Sequence, residues 1–316
     1  MAEIGLRLLG YRTWRYAGAD RQDAPLHISD PVLGWTNKPG HYRLPPYVVD
    51  GNEIEVTILE DGSRATGSPP ADNRATVVLL GCSVTFGWGL SDAQTYPWKL
   101  QQGHAELRVV NFGSSAQGTL QALLRMERIV ALSPRPRLVL YGFFTRHVPR
   151  NVATYDWLRM LAQNSHRGIV ADPYVTLAGE GGLERHPPQA FAVWPLAEWL
   201  VTARIAGDGY MRLVTHGREQ LGPEATKRLM LEMTRVAREH STPFAVVFLL
   251  AQPGKKEEYV SYFQSNDIPY VDCVEPFGED DQIPVDGHPN ERLNARWAQC
   301  IAHALPDLLA DDRSHP

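Results

Sequence analysis

The chain has 316 residues, of which 43% are hydrophobic and 21% charged, a balance that sustains a buried core and excludes wholesale disorder. Its 31 Lys and Arg stand against 36 Asp and Glu, a net charge of −5 with no basic run, which argues against a nucleic-acid binder held by phosphate neutralisation. No apolar run approaches the roughly 18 residues of a membrane span, and three cysteines, Cys82, Cys273 and Cys300, are too few and too scattered for a disulfide framework or a zinc ligand set, so a reducing compartment is the simplest expectation.

The first residues, MAEIGLRLLGYRTWRYAGADRQ, place Arg7, Arg12 and Arg15 inside their apolar stretch and lack the uninterrupted core of a signal peptide. The expectation is a soluble, cytoplasmic protein. Residues 1–72 are rich in Pro, Gly and Tyr, and the alternation over Glu53–Ile58, entered through Asp50-Gly51-Asn52, predicts a strand in a small β-rich appendage. The segment Gly62–Ala75, centred on Pro69-Pro70, reads as a polar linker with a domain boundary near residue 72.

Over residues 73–316 short continuous apolar runs alternate with helical patterns, the signature of βαβ units around a buried parallel sheet. The predicted strands are Ala75–Gly81, Leu107–Gly113, Arg137–Phe144, Phe244–Ala251 and a weaker Pro269–Val274. Predicted helices cover Tyr96–His104, Thr119–Leu132, Gly222–Glu239, Lys255–Ser265 and Pro289–Leu305. About five strands with crossover helices make an α/β, flavodoxin-like doubly wound sheet. From Val148 to about Gln220 no strong strand signal occurs, but Trp157, Tyr174, Trp194 and Trp199 do. A stretch of that length is expected to be an inserted lid or substrate wall, with a packing excursion that thickens the core as the alternative.

In an open parallel sheet the functional crevice lies beyond the C-terminal strand ends. After the first strand comes GCSVTFGWG, where Ser83 sits at a strand-to-helix turn with backbone N–H groups close by, the setting of a nucleophile and its oxyanion donors. Capping a helix is an equal reading of the same serine. Near the other end VDGHPN places Asp286 and His288 ahead of the last helix, with Pro289 suited to its first turn. An imidazole that takes a serine proton and a carboxylate that orients the ring complete a triad.

The runs VVLLGCSVTFGWGLSDAQTYP, VVNFGSSAQGTLQAL and VDGHPN resemble three blocks of the SGNH/GDSL hydrolases, in order, over residues 74 to 305. The N-terminal DPVLGWTNKPG resembles a segment that precedes the hydrolase domain in some bacterial members. The resemblance implies that Ser83 is the nucleophile, His288 the general base, Asp286 its partner, and the Ser83 and Gly113 amides oxyanion donors. Two positions depart from the family. Cys82 stands where it has Asp, and this thiol is an alternative nucleophile. The third block lacks the expected Asn after the third strand and reads YGFFTRHVPRN, so Arg146 or His147 takes the third donor role, with Asn151 a few residues on, or that donor is absent. Arg146 also suits an anionic substrate group.

The remaining histidines, among them His104, His166, His186 and His216, show no metal-ligand spacing, and Gly81, Gly87 and Gly89 form neither a phosphate loop nor a dinucleotide fingerprint. Trp88 and Trp98 are expected to pack or to line a pocket. No cofactor is implied. The expected function is hydrolysis of a small-molecule carboxylic ester, a sugar or natural-product acyl group, through an acyl-enzyme. O-acyl transfer by the same triad and a catalytically degenerate binding module are the alternatives.

Overall fold

A computed structural model describes residues 2–16, 26–48, 51–67, 74–164 and 170–310. The chain opens with a short helix, α1 (Ala2–Leu8), followed by an antiparallel pair, β1 (His27–Asp30) with β2 (Gly34–Asn37). A second antiparallel pair joins β3 (Gly40–Leu44) to β4 (Ile54–Ile58), where the predicted strand falls. In β4 the alternation has its physical cause on view: Ile54, Val56 and Ile58 are buried while Glu55 faces solvent.

The predicted polar linker is partly something else. Asp50, Pro69-Pro70 and the boundary near residue 72 lie outside the described residues. Residues 62–67, however, are packed: Ser63, Arg64 and Thr66 are buried, and Arg64 bridges Ile58 on one side and Asn111 on the other.

The remainder builds the sheet. In chain order come β5 (Ala75–Gly81), α2 (Ser83–Phe86), α3 (Tyr96–Gly103), β6 (Leu107–Asn111), α4 (Thr119–Val130) and β7 (Leu138–Phe144). The insertion contributes α5 (Val148–Asn151), α6 (Tyr155–Asn164), β8 (Asp172–Leu177), β9 (Leu183–Gln189) and α7 (Val201–Val214). Then follow α8 (Arg218–Glu239), β10 (Phe244–Leu250), α9 (Lys256–Ser265), β11 (Tyr270–Asp272) and α10 (Glu291–Ala310).

The central sheet has five parallel strands in the order β11-β10-β7-β5-β6, the doubly wound arrangement expected. Its inner strands β5, β7 and β10 are close to continuously apolar because both faces are covered. Val78, Leu80, Tyr141 and Phe248 pack with residues of α4, α8 and α9, whereas Val77, Leu79, Leu140 and Val247 pack with α3 and α10. The strand order reverses between β5 and β7, so the switch-point crevice opens beside the residues that follow β5.

Two features differ from expectation. The insertion contains an antiparallel hairpin, β8 with β9, whose signal was hidden by Pro173, Pro187 and Pro188. Val175 is buried in the core with residues of α4 and α8, and Arg185 pairs with Glu127 and Glu232 on those helices, so the hairpin thickens this face of the sheet. Second, Cys273 and Cys300 form a disulfide that ties the end of β11 to α10. Their pairing across 27 residues removes the cysteine argument for a reducing compartment.

Candidate active site

The β5 strand ends in Gly81, and α2 starts on top of it. A Cβ at Gly81 would lie 2.1 Å from Thr85 Oγ1, and one at Gly142 of β7 would lie 2.3 Å from the same atom. The absence of side chains at both positions lets the first turn of α2 sit directly on the strand ends. The cap of α2 is Cys82, whose Sγ accepts from the Val84 N–H at 3.4 Å. This leaves the neighbouring hydroxyl uncommitted to capping, contrary to the capping reading of Ser83. Cys82 itself is fully buried in the core that faces α3 and α10, which removes it as a solvent-accessible nucleophile.

Ser83 Oγ instead lies 3.0 Å from His288 Nε2. On the far side of the ring, Nδ1 meets Asp286 Oδ1 at 2.5 Å, and the same oxygen accepts from the His288 backbone N–H at 3.1 Å. With Nδ1–H donating to the carboxylate, Nε2 is the unprotonated nitrogen and accepts from the Ser83 hydroxyl. Half-burial pushes the Asp286 carboxyl up, but hydrogen bonding from the His288 ring, its backbone N–H and Trp88 outweighs it and holds its pKa below the ordinary value.

The loop that carries this pair is closed on itself. The Ile283 N–H donates to His288 O at 2.7 Å, and the Gly287 N–H, at φ +81°, donates to Ile283 O. The last helix starts at Glu291, so Pro289 precedes its first turn, and Asn290 caps α10, accepting from the Leu293 N–H at 3.2 Å. Asp281 at the base of the loop accepts from Arg292 and Arg296. Trp88, expected to pack or to line a pocket, has its ring centroid 6.3 Å from that of His288.

Arg64 is the unforeseen member of the site's framework. Its side chain is wholly buried, with Nε on Asp92 Oδ1 at 2.8 Å, Nη1 on Phe86 O at 2.9 Å and Gly87 O at 2.7 Å, and Nη2 on Leu90 O at 2.5 Å. Those carbonyls lie at the C-terminus of α2 and in its following turn, where only Gly87 O has a further donor, the Leu90 N–H, so a residue of the N-terminal segment fastens the helix that bears Ser83. A solitary arginine in a polar run carries no sequence signal for this.

The loop after β6 corrects the reading of Gly113. Its N–H donates to Asn111 Oδ1 at 2.9 Å, and its carbonyl accepts from Asn37 Nδ2 at 2.9 Å. Glycine is required there because a Cβ would fall 2.4 Å from Phe86 N. Gly113 thus permits the close approach of α2 and has no free N–H for an oxyanion. Ser114 N–H is likewise spent on Gly81 O, whereas among the described residues the Ser83, Ser115 and Ala116 N–H groups have no acceptor. Ala116 holds the left-handed conformation, φ 67°. The Trp35 hairpin braces this loop, with Trp35 Nε1 donating to Ser115 O and Gln117 Nε2 to Trp35 O.

At the end of β7 the structure separates the other candidates. His147 is sealed in the core, its Nδ1 2.7 Å from Tyr141 OH and its ring against Phe143 and Phe144. Burial, with the charge of Arg150, drives its pKa well below the ordinary value and keeps the ring neutral. Asn151 is consumed by Thr119 Oγ1, Thr226 Oγ1 and the Leu120 N–H. Both are therefore framework residues. Arg146 is exposed, its guanidinium 5.6 Å from the Phe144 ring centroid.

Among the described residues no cluster of His, Cys, Asp and Glu could hold a metal ion. His104 pairs with Glu106 and His186 with Thr176, while His166 lies outside the described residues. Trp98 packs its ring against Gly67. A cavity of about 600 Å³ lies within the insertion, lined by Tyr155, Trp157, Met160, Arg212 and His216; neither Ser83 nor His288 borders it.

No family model and no curated protein matches the chain. Solved structures do. A lipolytic protein of the G-D-S-L family from Desulfitobacterium hafniense DCB-2 is 14% identical over 73% of this chain and 99% of its own, with a TM-score of 0.42. TesA is 15% identical over 74% and 99%, with a TM-score of 0.45. The psychrotrophic esterase EstA from Pseudoalteromonas sp. is 11% identical over 75% and 98%, with a TM-score of 0.42.

Proposed function

We propose that the chain is a serine hydrolase of the SGNH type that cleaves a carboxylic ester through an acyl-enzyme. The observation that carries the reading is the continuous relay from Ser83 Oγ to His288 Nε2 at 3.0 Å and from His288 Nδ1 to Asp286 at 2.5 Å, at the switch point of the sheet. Ser83 and the His288–Asp286 pair, about two hundred residues apart in the chain and in the order that the sequence blocks imply, meet in a geometry suited to proton transfer.

In this mechanism the Ser83 hydroxyl attacks the ester carbonyl as His288 Nε2 takes its proton. Asp286 stabilises the imidazolium and keeps the ring oriented. The oxyanion is received by the Ser83 N–H and by the free amides of Ser115 and Ala116, in place of Gly113. The imidazolium returns its proton to the leaving alkoxide, and the alcohol departs. Water, deprotonated by His288, then attacks the acyl-Ser83 carbonyl, releasing the acid and restoring the serine. An alcohol in place of that water turns the same half-reactions into acyl transfer.

The test is intact-mass detection of fluorophosphonate labelling on wild type, Ser83→Ala, His288→Ala and Cys82→Ala. Labelling of wild type and Cys82→Ala that disappears in the other two supports the assignment. A folded wild type that takes no label, or a Ser83→Ala variant that still does, refutes it.

A further inference from the structure

Among the described residues, exposed apolar side chains gather where two parts of the chain hold each other in place. Glu3 of α1 caps the start of α7, its carboxylate accepting from the Val201 and Thr202 N–H groups at 3.0 Å each, and these bonds lower its pKa to about 2. Arg7 donates to Trp199 O, and the Trp14 N–H donates to Ala197 O at 2.8 Å. The N-terminal segment is thereby fixed against residues 194–201.

What this unit shows to solvent is unusual for a free surface. Ile4 and Leu8 stand four residues apart on α1 at 63% and 84% exposure, and Leu9 follows at 76%. Beside them Leu196 and Trp199 are exposed, the latter at 67%. Along α7, Ala206, Tyr210 and Leu213 form an exposed stripe at helical spacing, with Trp194 against Tyr210 at 6.2 Å between centroids. This stripe is the reverse of the pattern a solvated helix face presents.

The charges of the unit select the occupant. Arg12 and Arg15 are exposed and form no ion pair among the described residues, and Arg212 is exposed over the Tyr155 ring. The carboxylates are engaged: Glu3 caps α7, Asp208 pairs with Arg204 at 3.1 Å, and Glu198 has a partner of its own. Leucine, tryptophan and tyrosine surrounded by unpaired arginines match the interfacial zone of a bilayer with anionic headgroups. A second copy would set one basic rim against another, which like-charge repulsion opposes.

We propose that α1, the 194–200 segment and the exposed stripe of α7 form a docking surface for an anionic lipid bilayer, on which the protein lies without spanning it. Among the described residues no helix is long and apolar enough to cross a membrane, so attachment is in the plane of the interface.

The test is co-sedimentation of the full chain with vesicles of phosphatidylcholine alone or with phosphatidylglycerol, at low and high salt. Variants are Leu9→Ser/Trp199→Ser, which removes exposed apolar anchors, and Arg12→Ser/Arg15→Ser, which removes charge; unaltered far-UV spectra and melting show that each folds. The expected result is partition of wild type onto phosphatidylglycerol vesicles, lowered by about tenfold or more in either variant and by salt. Failure of wild type to partition, or equal partition of both variants, overturns the proposal. So does a concentration-dependent dimer in sedimentation equilibrium that the Leu9→Ser/Trp199→Ser change abolishes.

Discussion

Replacing Arg64 by Met tests whether the N-terminal segment holds Ser83, the proposed nucleophile, in place. The side chain has no solvent contact, and its loss strands the Phe86 and Leu90 carbonyls, while Gly87 O keeps the Leu90 N–H and Asp92 is left with the Thr57 N–H alone. Removing one partner of a buried charged network costs about 3–5 kcal/mol. Asp92 keeps the Thr57 N–H as a donor, and the Met side chain recovers about 1 kcal/mol of apolar packing against Phe86, leaving roughly 2–4 kcal/mol. For a chain of this size that is a fall in Tm of roughly 3–6 °C. Fluorophosphonate labelling of Ser83 is expected to slow as well, because the freed carbonyls belong to the turn that presents it. Arg64→Lys keeps the charge beside Asp92 but lacks the fork, and is expected to fall between. Melting curves and labelling rates on the three proteins decide the matter. A Met variant within about 2 °C of wild type with an unchanged labelling rate would show that the buried guanidinium does not position α2.

Asp286→Asn leaves the loop intact but removes the charge that orients His288, so ester turnover or probe labelling is expected to fall by about 10²- to 10⁴-fold with little change in fold. The Asp286 carboxyl is held below its ordinary pKa, so its contribution to stability is present above about pH 4 and is lost as pH falls through the depressed value; melting of wild type and Asp286→Asn from pH 6 to about 3 should show their difference closing at the acid end. Gly113→Ala drives a Cβ to 2.4 Å from Phe86 N, backbone that cannot yield locally, and is expected to lower Tm and labelling together; a normal melt would refute the close approach. Glu3→Gln weakens the cap on α7, and hydrogen exchange is expected to quicken at Val201 and Thr202 while the sheet strands stay protected.

The sheet was legible because it is covered on both faces: β5, β7 and β10 are unbroken apolar runs that no helix periodicity explains, and each falls within a residue or two of its predicted span. Ser83, Asp286 and His288 were legible because they stand at a strand end and at a helix start, places that the topology brings together. The hydrogen bonding of the loop after β6 was not. Whether the Gly113 N–H is free depends on Asn111 two residues earlier turning its side chain back, a contact that spacing does not encode. Arg64 and the β8–β9 hairpin share that fate: the first looks like any charge in a polar run, and the second carries prolines that edge strands tolerate and sequence patterns penalise.

The disulfide between Cys273 and Cys300 encloses residues 274–299, and both Asp286 and His288 lie within that span. The proposed base and its orienting carboxylate are thus borne on a covalent ring whose two ends are fastened to the last strand and the last helix. In the unfolded chain such a ring forfeits conformational freedom equivalent to roughly 3–4 kcal/mol. When the rest of the molecule opens, these two residues still cannot drift far from α10. A reductant would leave the serine and its strand as they are and act first on the half of the relay that moves the proton.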